Sequence, residues 1–306
     1  MKVGVVGAGF VGAAAANALV LRHVATDVVL VDVNETKAAA EAADIAHVTP
    51  FSAPVRVGAG GYEQLAGSAV VVITAGRAQQ PGQSRLELLR ANARILRSVV
   101  AEVVAAAPDA VLLVATNPVD VMTRVIEQHA GLGGGRVFGT GTMLDTARFR
   151  QIVAARVGVD VTHVHGYVVG EHGDSEVLIW SSLDVAGRHL AAFVHAMGGA
   201  FGQEDRAEVE DEVVNAAERI IRGKGATYYG VAAAIAGAVE VILRNRRSIM
   251  TVSAWTPEYG CSLSLPRLVS GPGVIRELGV SMDGGERSRL ERSAEILRGA
   301  LAQIGT

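Results

Sequence analysis

A single cysteine, Cys261, in 306 residues rules out an internal disulfide framework and fits a reducing compartment. No uninterrupted apolar run reaches membrane-spanning length; the longest, around Val103 and Val231, carry Glu102 and Glu240 at their edges. An excess of positive charge is also missing. The net charge is −3, and lysine occurs only at positions 2, 37 and 224 against 25 arginines, so no broad basic field exists to attract nucleic acid or anionic lipid. Small molecules and further copies of the chain are therefore the expected partners. Disorder is excluded as well, because charged residues make up 19% and hydrophobic residues 50%, the proportions of a globular chain. The length supports two domains. Met1 to Arg22 has the lysine, apolar stretch and small residues of a secretory signal, but its glycines and Asn17 interrupt any hydrophobic region, and a cytoplasmic protein is expected.

What the chain does have begins at its first thirty-two residues. An apolar run, Lys2 to Val6, meets Gly7-Ala8-Gly9-Phe10-Val11-Gly12, and a second run, Val28 to Val31, ends at Asp32. Gly7 permits a tight turn out of the strand, Gly9 lets the backbone approach a pyrophosphate, and Gly12 lets the next helix pack close to the sheet. The phosphates then sit on free N–H groups at a helix N-terminus. Asp32, 20 residues beyond Gly12, accepts both ribose hydroxyls and repels a 2′-phosphate, which favours NAD over NADP.

The following pattern alternates helix and strand: a helix over Asn34 to His47, a strand near Val55 to Val57, and all-apolar strands at Ala69 to Thr74 and Ala110 to Thr116. A sixth strand is expected over Arg136 to Gly141. Strands apolar throughout indicate a parallel sheet covered on both faces, so the fold class is α/β, a Rossmann-type doubly wound parallel sheet. Two strands end in Thr74-Ala75-Gly76 and Thr116-Asn117-Pro118, at the carboxyl edge where such sheets bind ligands. Between Gly76 and Arg85 a polar stretch with Pro81 and Gly82 reads as a mobile lid that carries Arg85 and leads into a helix over Arg85 to Ala107.

The pattern changes near Gly141. Residues 1–140 are assigned to the NAD-binding domain and 141–306 to a C-terminal α+β substrate domain. In the second, Asp145 to Val157 reads as helix, and Val161 to Trp180 as two strand-like runs around a charged turn, Gly170 to Ser175. Glu204 to Ile221 and Tyr228 to Leu243 read as helices, Ile249 to Ala254 and Ser262 to Leu265 as strands, and Gly285 to Ile304 as a last helix.

Asp145 and Arg148, three apart, share one helix face. Alone they make an ordinary surface ion pair. If His172 reaches Asp145, a different chemistry opens: the carboxylate fixes the ring tautomer, favours the imidazolium and frees the other nitrogen for proton transfer. Arg148 then holds a substrate carboxylate through two parallel hydrogen bonds. His163 and His165 form an H-x-H pair placed on one face of a strand, but no further ligand cluster has a diagnostic spacing, and no metal is expected.

Leu144 to Arg150, Gly170-Glu171-His172-Gly173-Asp174-Ser175, Thr116 to Asp120 and Lys224 to Gly230, with the glycine motif and Asp32, together resemble the lactate and malate dehydrogenase family. Gln79, Leu86 and Thr227 resemble its bacterial L-lactate dehydrogenase branch. The resemblance implies that His172 donates and accepts the proton, that Asp145 orients it and that Arg85 polarises the carbonyl after lid closure. It implies substrate contacts from Gln79, Asn117, Arg148 and Thr227, and cofactor contacts from Gly7, Gly9, Val11, Gly12, Asp32, Lys37, Gly76, Thr116 and Asn117, with Asn117-Pro118 cis. Pyruvate and L-lactate follow as substrates and a homotetramer as the assembly. Arg150 and His165 match the positions that bind the effector fructose 1,6-bisphosphate across a subunit interface in activated members. Arg77 departs from the family, which usually has a small residue there. Malate dehydrogenase is the alternative enzyme, and a non-catalytic NAD-binding sensor is the alternative of another class.

Overall fold

The computed structural model describes residues 1–77 and 85–305; Ala78 to Ser84, with Gln79 and most of the expected lid, lie outside the described residues, as do the Arg85 side chain and Thr306. In chain order the first half is β1 (Lys2–Val6), α1 (Phe10–Leu21), β2 (Asp27–Val31), α2 (Glu35–Ala46), β3 (Arg56–Ala59), β4 (Ser68–Ile73), α3 (Arg85–Ala106), β5 (Val111–Val114), α4 (Val119–Ala130) and β6 (Val137–Gly139). These strands pair in parallel in the order β3-β2-β1-β4-β5-β6. The order reverses between β1 and β4, which opens a crevice at their carboxyl ends.

Apolar residues on both faces of each strand explain the two helical layers. Val3, Val5, Val70, Val72, Val111 and Leu113 pack against α1 residues such as Ala16 and Leu19. Their neighbours in sequence, Val71, Ile73, Leu112 and Val114, point the other way, onto Leu89 and Leu96 of α3 and Val121 and Val125 of α4. Side chains alternate across a strand, so an all-apolar strand has to be covered twice.

The second half contains α5 (Met143–Val157), β7 (Val164–His165), β8 (Val168–Val169), β9 (Val177–Leu178), β10 (Asp184–Val185), β11 (Arg188–His189), α6 (Leu190–Ala196), α7 (Gln203–Val214), α8 (Ala216–Lys224), α9 (Tyr229–Leu243), β12 (Ser248–Thr256), β13 (Cys261–Ser270), β14 (Gly273–Glu277) and α10 (Gly284–Ala302). Strands β12, β13 and β14 form an antiparallel meander that joins β6 through Ser253 opposite Gly139, extending the sheet to nine strands. Helix α9 contributes Ile235 and Val239 to the same core as α1. No helix among the described residues is long and apolar enough to cross a membrane.

Two expectations need correction, and one strand was not expected. The single helix over Glu204 to Ile221 is two, because Asn215 ends α7 with ψ near 3° and turns its side chain back onto Asp211 at 2.6 Å; asparagine's local hydrogen bonding competes with helix continuation. Strand β14 had no expectation, since Ile275 is exposed and Arg276 and Glu277 break its apolar pattern. His163 and His165 do not alternate on one strand. Val161–His163 is a single 3-10 turn that precedes β7, started by Asp160, whose side chain accepts the Thr162 N–H at 2.9 Å.

Candidate active site

The glycine turn between β1 and α1 is built by close approach. Gly7 has φ +105°, and a Cβ there would lie 2.7 Å from the Ala75 nitrogen. A Cβ on Gly12 would lie 1.8 Å from the Gly7 carbonyl oxygen, so α1 starts against the turn with no room for a side chain. Around Gly9 the situation is opposite, with nothing within 4 Å of the added carbon. Helix α1 begins without a capping side chain and without an acid in its first turn, which leaves its N–H groups for an anion. Asp32, just past β2, accepts the Ala8 N–H at 2.6 Å and the Asn34 N–H at 2.9 Å, fixing its carboxylate at the crevice rim. Lys37 is exposed in the first turn of α2 and Val11 is half-buried at the start of α1. These residues fit a dinucleotide: room and free donors for the pyrophosphate, and a held carboxylate for the ribose.

Gly12→Ala is expected to force α1 away from β1. Overpacking of this kind costs about 1–3 kcal/mol, and NADH affinity read by fluorescence titration should fall about tenfold or more. An unchanged affinity would remove the close approach from cofactor binding.

Thr116, Asn117 and Gly76 meet across the carboxyl ends of β4 and β5. Thr116 donates its hydroxyl to the Ala75 carbonyl at 2.7 Å, and a Cβ on Gly76 would lie 2.7 Å from the Thr116 methyl. The Asn117-Pro118 bond is cis. Asn92, buried on α3, had no role in the sequence reading. Its amide donates to the Asn117 and Arg77 carbonyls at 3.2 and 3.3 Å and its oxygen accepts the Arg77 N–H at 2.8 Å, tying the two loops together. No sequence signal marked it, since α3 carries several charged residues and only burial sets Asn92 apart. The Arg77 side chain itself is exposed.

The charged turn between β8 and β9 reaches α5 because α5 clamps the strand that feeds it. Thr142 donates to the Val168 carbonyl at 2.5 Å and Thr146 accepts the Val168 N–H at 3.0 Å. Gly170 exchanges two backbone hydrogen bonds with Ser264 of β13, both at 2.9 Å, and Ser293 of α10 accepts the Glu171 N–H at 2.8 Å. His172 then lies with Nδ1 2.6 Å from Asp145 Oδ2, while Arg148 donates to Asp145 Oδ1 at 2.7 Å. The Asp145 side chain is 2% exposed and that of Arg148 13%, so the pair is no solvated surface contact.

Electrostatics follow from this geometry. Burial works against the His172 imidazolium, but the charge and hydrogen bond of Asp145 outweigh it and lift its pKa to about 9. Burial likewise opposes ionisation of Asp145, and His172 and Arg148 overcome it, holding the carboxyl below its usual range. Asp120, in the first turn of α4, also had no assigned role. It accepts the His172 backbone N–H at 2.8 Å and, being fully enclosed, is pushed up to about 6 by desolvation. Asp145, His172 and Glu176 are the one set of potential metal donors brought together among the described residues; Asp145 there is already bonded to a guanidinium, which disfavours a cation.

Thr227 precedes α9 in a segment that faces both parts of the site: Tyr228 stacks on Phe10 of the glycine turn at 5.4 Å, and Gly230 packs on Leu144 beside Asp145. Arg150 is not the solvated helix charge of the simplest reading. It is half-buried, donates through Nε to the Gly166 carbonyl at 2.9 Å and stacks over Tyr167 at 5.4 Å, next to the exposed His165.

Comparison with known proteins agrees with this geometry. Residues 1–139 match the family model described as lactate/malate dehydrogenase, NAD binding domain, and residues 142–305 match lactate/malate dehydrogenase, alpha/beta C-terminal domain. The chain is 54% identical over 305 residues to an L-lactate dehydrogenase of Deinococcus radiodurans and 52% identical over 309 residues to one of Thermus aquaticus, with 100% of each chain covered in both cases. Among solved structures, a lactate dehydrogenase from a Medee basin deep-sea metagenome library superposes with TM-score 0.96 at 36% identity, covering 100% of this chain and 99% of its own. The minor L-lactate dehydrogenase of Enterococcus mundtii superposes with TM-score 0.95 at 39% identity, covering 99% and 98%.

Proposed function

The chain belongs to the lactate/malate dehydrogenase family, and on that premise we propose that it is an L-lactate dehydrogenase, interconverting pyruvate and L-lactate with NAD as the redox partner. The observation that carries this reading is the buried His172–Asp145–Arg148 arrangement at the carboxyl edge of a dinucleotide-binding sheet. NADH, when bound, supplies the hydride to the carbonyl carbon of pyruvate.

The chain's own residues do the rest. Protonated His172 gives its proton from Nε2 to the carbonyl oxygen as negative charge grows there; Asp145 on Nδ1 holds the ring in place and stabilises its charged form. Arg148 pairs with the substrate carboxylate. Arg85 begins α3, and its role in the family reading is to polarise the carbonyl. Asn117 contacts the substrate oxygen and Thr227 lines the end of the pocket that holds the methyl group; Gln79, to which the family resemblance gives the same role, lies outside the described residues. In the reverse direction neutral His172 takes the hydroxyl proton, and L-lactate loses its hydride.

NADH consumption with pyruvate, followed by loss of nicotinamide absorbance, tests this. Stoichiometric L-lactate formation is the expected result. A chain that binds NADH and leaves it unoxidised in the presence of 2-oxo acids would be a sensor.

The enzyme acts in the cytoplasm as a homotetramer, and fructose 1,6-bisphosphate activates it by bridging Arg150 and His165 of neighbouring subunits. The effector reading is supported by the placement of the two residues: Arg150 is anchored to the Gly166 carbonyl, one residue from the exposed His165. Like charges facing each other across an interface disfavour the compact assembly until phosphates neutralise them. Titration with the bisphosphate is expected to lower the apparent KM for pyruvate. If neither KM nor sedimentation changes, Arg150 and His165 are structural.

A further inference from the structure

Glu176 enters none of the steps above, yet it stands beside them. Its carboxyl, the Asp145 carboxyl and a His172 ring nitrogen all lie within 4.8 Å of one another. Glu176 Oε1 is shut off from solvent and has no hydrogen-bond partner, and no ion pair to Glu176 forms among the described residues. Asp145 has two cationic partners and is committed to the charged state. A second carboxylate at this distance, with no donor of its own, would be both desolvated and repelled.

We propose that Glu176 is a charge-setting residue for substrate binding: held as a neutral carboxylic acid beside the Asp145–His172 pair, it keeps a further negative charge out of the pocket, and its ionisation shuts out a monocarboxylate substrate. With Glu176 neutral, Asp145 is the carboxylate bonded to the two cations that receive the substrate, Arg148 and His172. Ionisation of Glu176 adds one negative charge beside them, and a buried substrate anion then meets a further, unpaired carboxylate.

The charged groups around Glu176 come from three elements. Asp145 and Arg148 approach from α5, and His172 and Glu171 share its own turn; Asp120 of α4 lies behind His172. Burial, then the Asp145 charge, push the Glu176 carboxyl up to about 9, with His172 and Arg148 opposing. The inference rests on the reading that Arg148 and His172 receive the substrate, and it adds a group that acts on KM through charge.

Glu176→Gln, a neutral isostere, tests it, with Glu176→Met as a second neutral variant. As pH rises past 9 the wild type loses two protons from the pocket, from Glu176 and from His172, whereas the variants lose one. The increase in KM for pyruvate between pH 7.5 and pH 10 should therefore be about tenfold smaller in the variants. A second readout needs no substrate. A glutamate whose folded pKa is raised contributes stability that is complete below about 4.5, its unfolded value, and is lost as pH climbs through 9. The Tm of the variants should thus rise relative to wild type between pH 5 and pH 9. Parallel KM and Tm curves would overturn the proposal, and a Tm difference without a KM difference would overturn the role in binding. Retained turnover in His172→Ala would instead overturn the reading of the site itself.

Discussion

Replacing His172 with alanine is expected to lower pyruvate turnover by about a hundredfold or more while NADH still binds. The magnitude is that of a positioned general acid, and the geometry says why this imidazole fills that role. Asp145 occupies Nδ1 at 2.6 Å, so Nε2 is the nitrogen left to face the substrate, and a pKa near 9 keeps it protonated through the neutral range. The developing alkoxide would then lack its proton and its nearest cation on the oxygen side. NADH binding is assigned to the glycine turn and Asp32, on other elements, and should survive. Single-turnover rates with saturating NADH measure the loss, and wild-type rates in the variant would remove His172 from the chemistry.

The second large effect belongs to Gln79, and it changes specificity. In the proposed pocket, with Gln79 assigned to the methyl end, pyruvate presents a methyl group there and oxaloacetate a second carboxylate that binding desolvates. Glutamine offers a hydrogen bond but no compensating charge, and breaking a buried ion pair costs about 3–5 kcal/mol. Gln79→Arg supplies a bidentate partner and should move the ratio of kcat/KM for oxaloacetate over pyruvate upward on the order of a thousandfold. An unmoved ratio would place residue 79 outside the pocket. Arg77, two positions earlier in sequence and exposed, is a competing source of positive charge.

Local rules made the first half legible. The turn chemistry of Gly7 and Gly12, and strands apolar on every residue, left a doubly wound sheet as the one way to bury both faces, and β1 to β6 follow it. The second half was harder because its elements are held by tertiary contacts. Strands β7 to β11 have two residues each, too short for a period to show, and β14 exposes Ile275 because its role is to pair with β13. Site residues divide in the same way. Asp145 and Arg148 were readable from helix spacing, but the approach of His172 depends on Thr142, Thr146, Ser264 and Ser293, from three separate elements. Asn92, Asp120 and Glu176 escaped notice because each is polar within an apolar or already crowded stretch, and only burial distinguishes such residues from solvated ones.

The most direct measurement is kcat/KM of the unmodified enzyme for pyruvate and for oxaloacetate, with NADH, at neutral pH. A clear preference for pyruvate is expected, since the residue proposed for the methyl end of the pocket, Gln79, carries no charge to pair with a second carboxylate. A preference for oxaloacetate would make the chain a malate dehydrogenase and contradict the reading of its pocket.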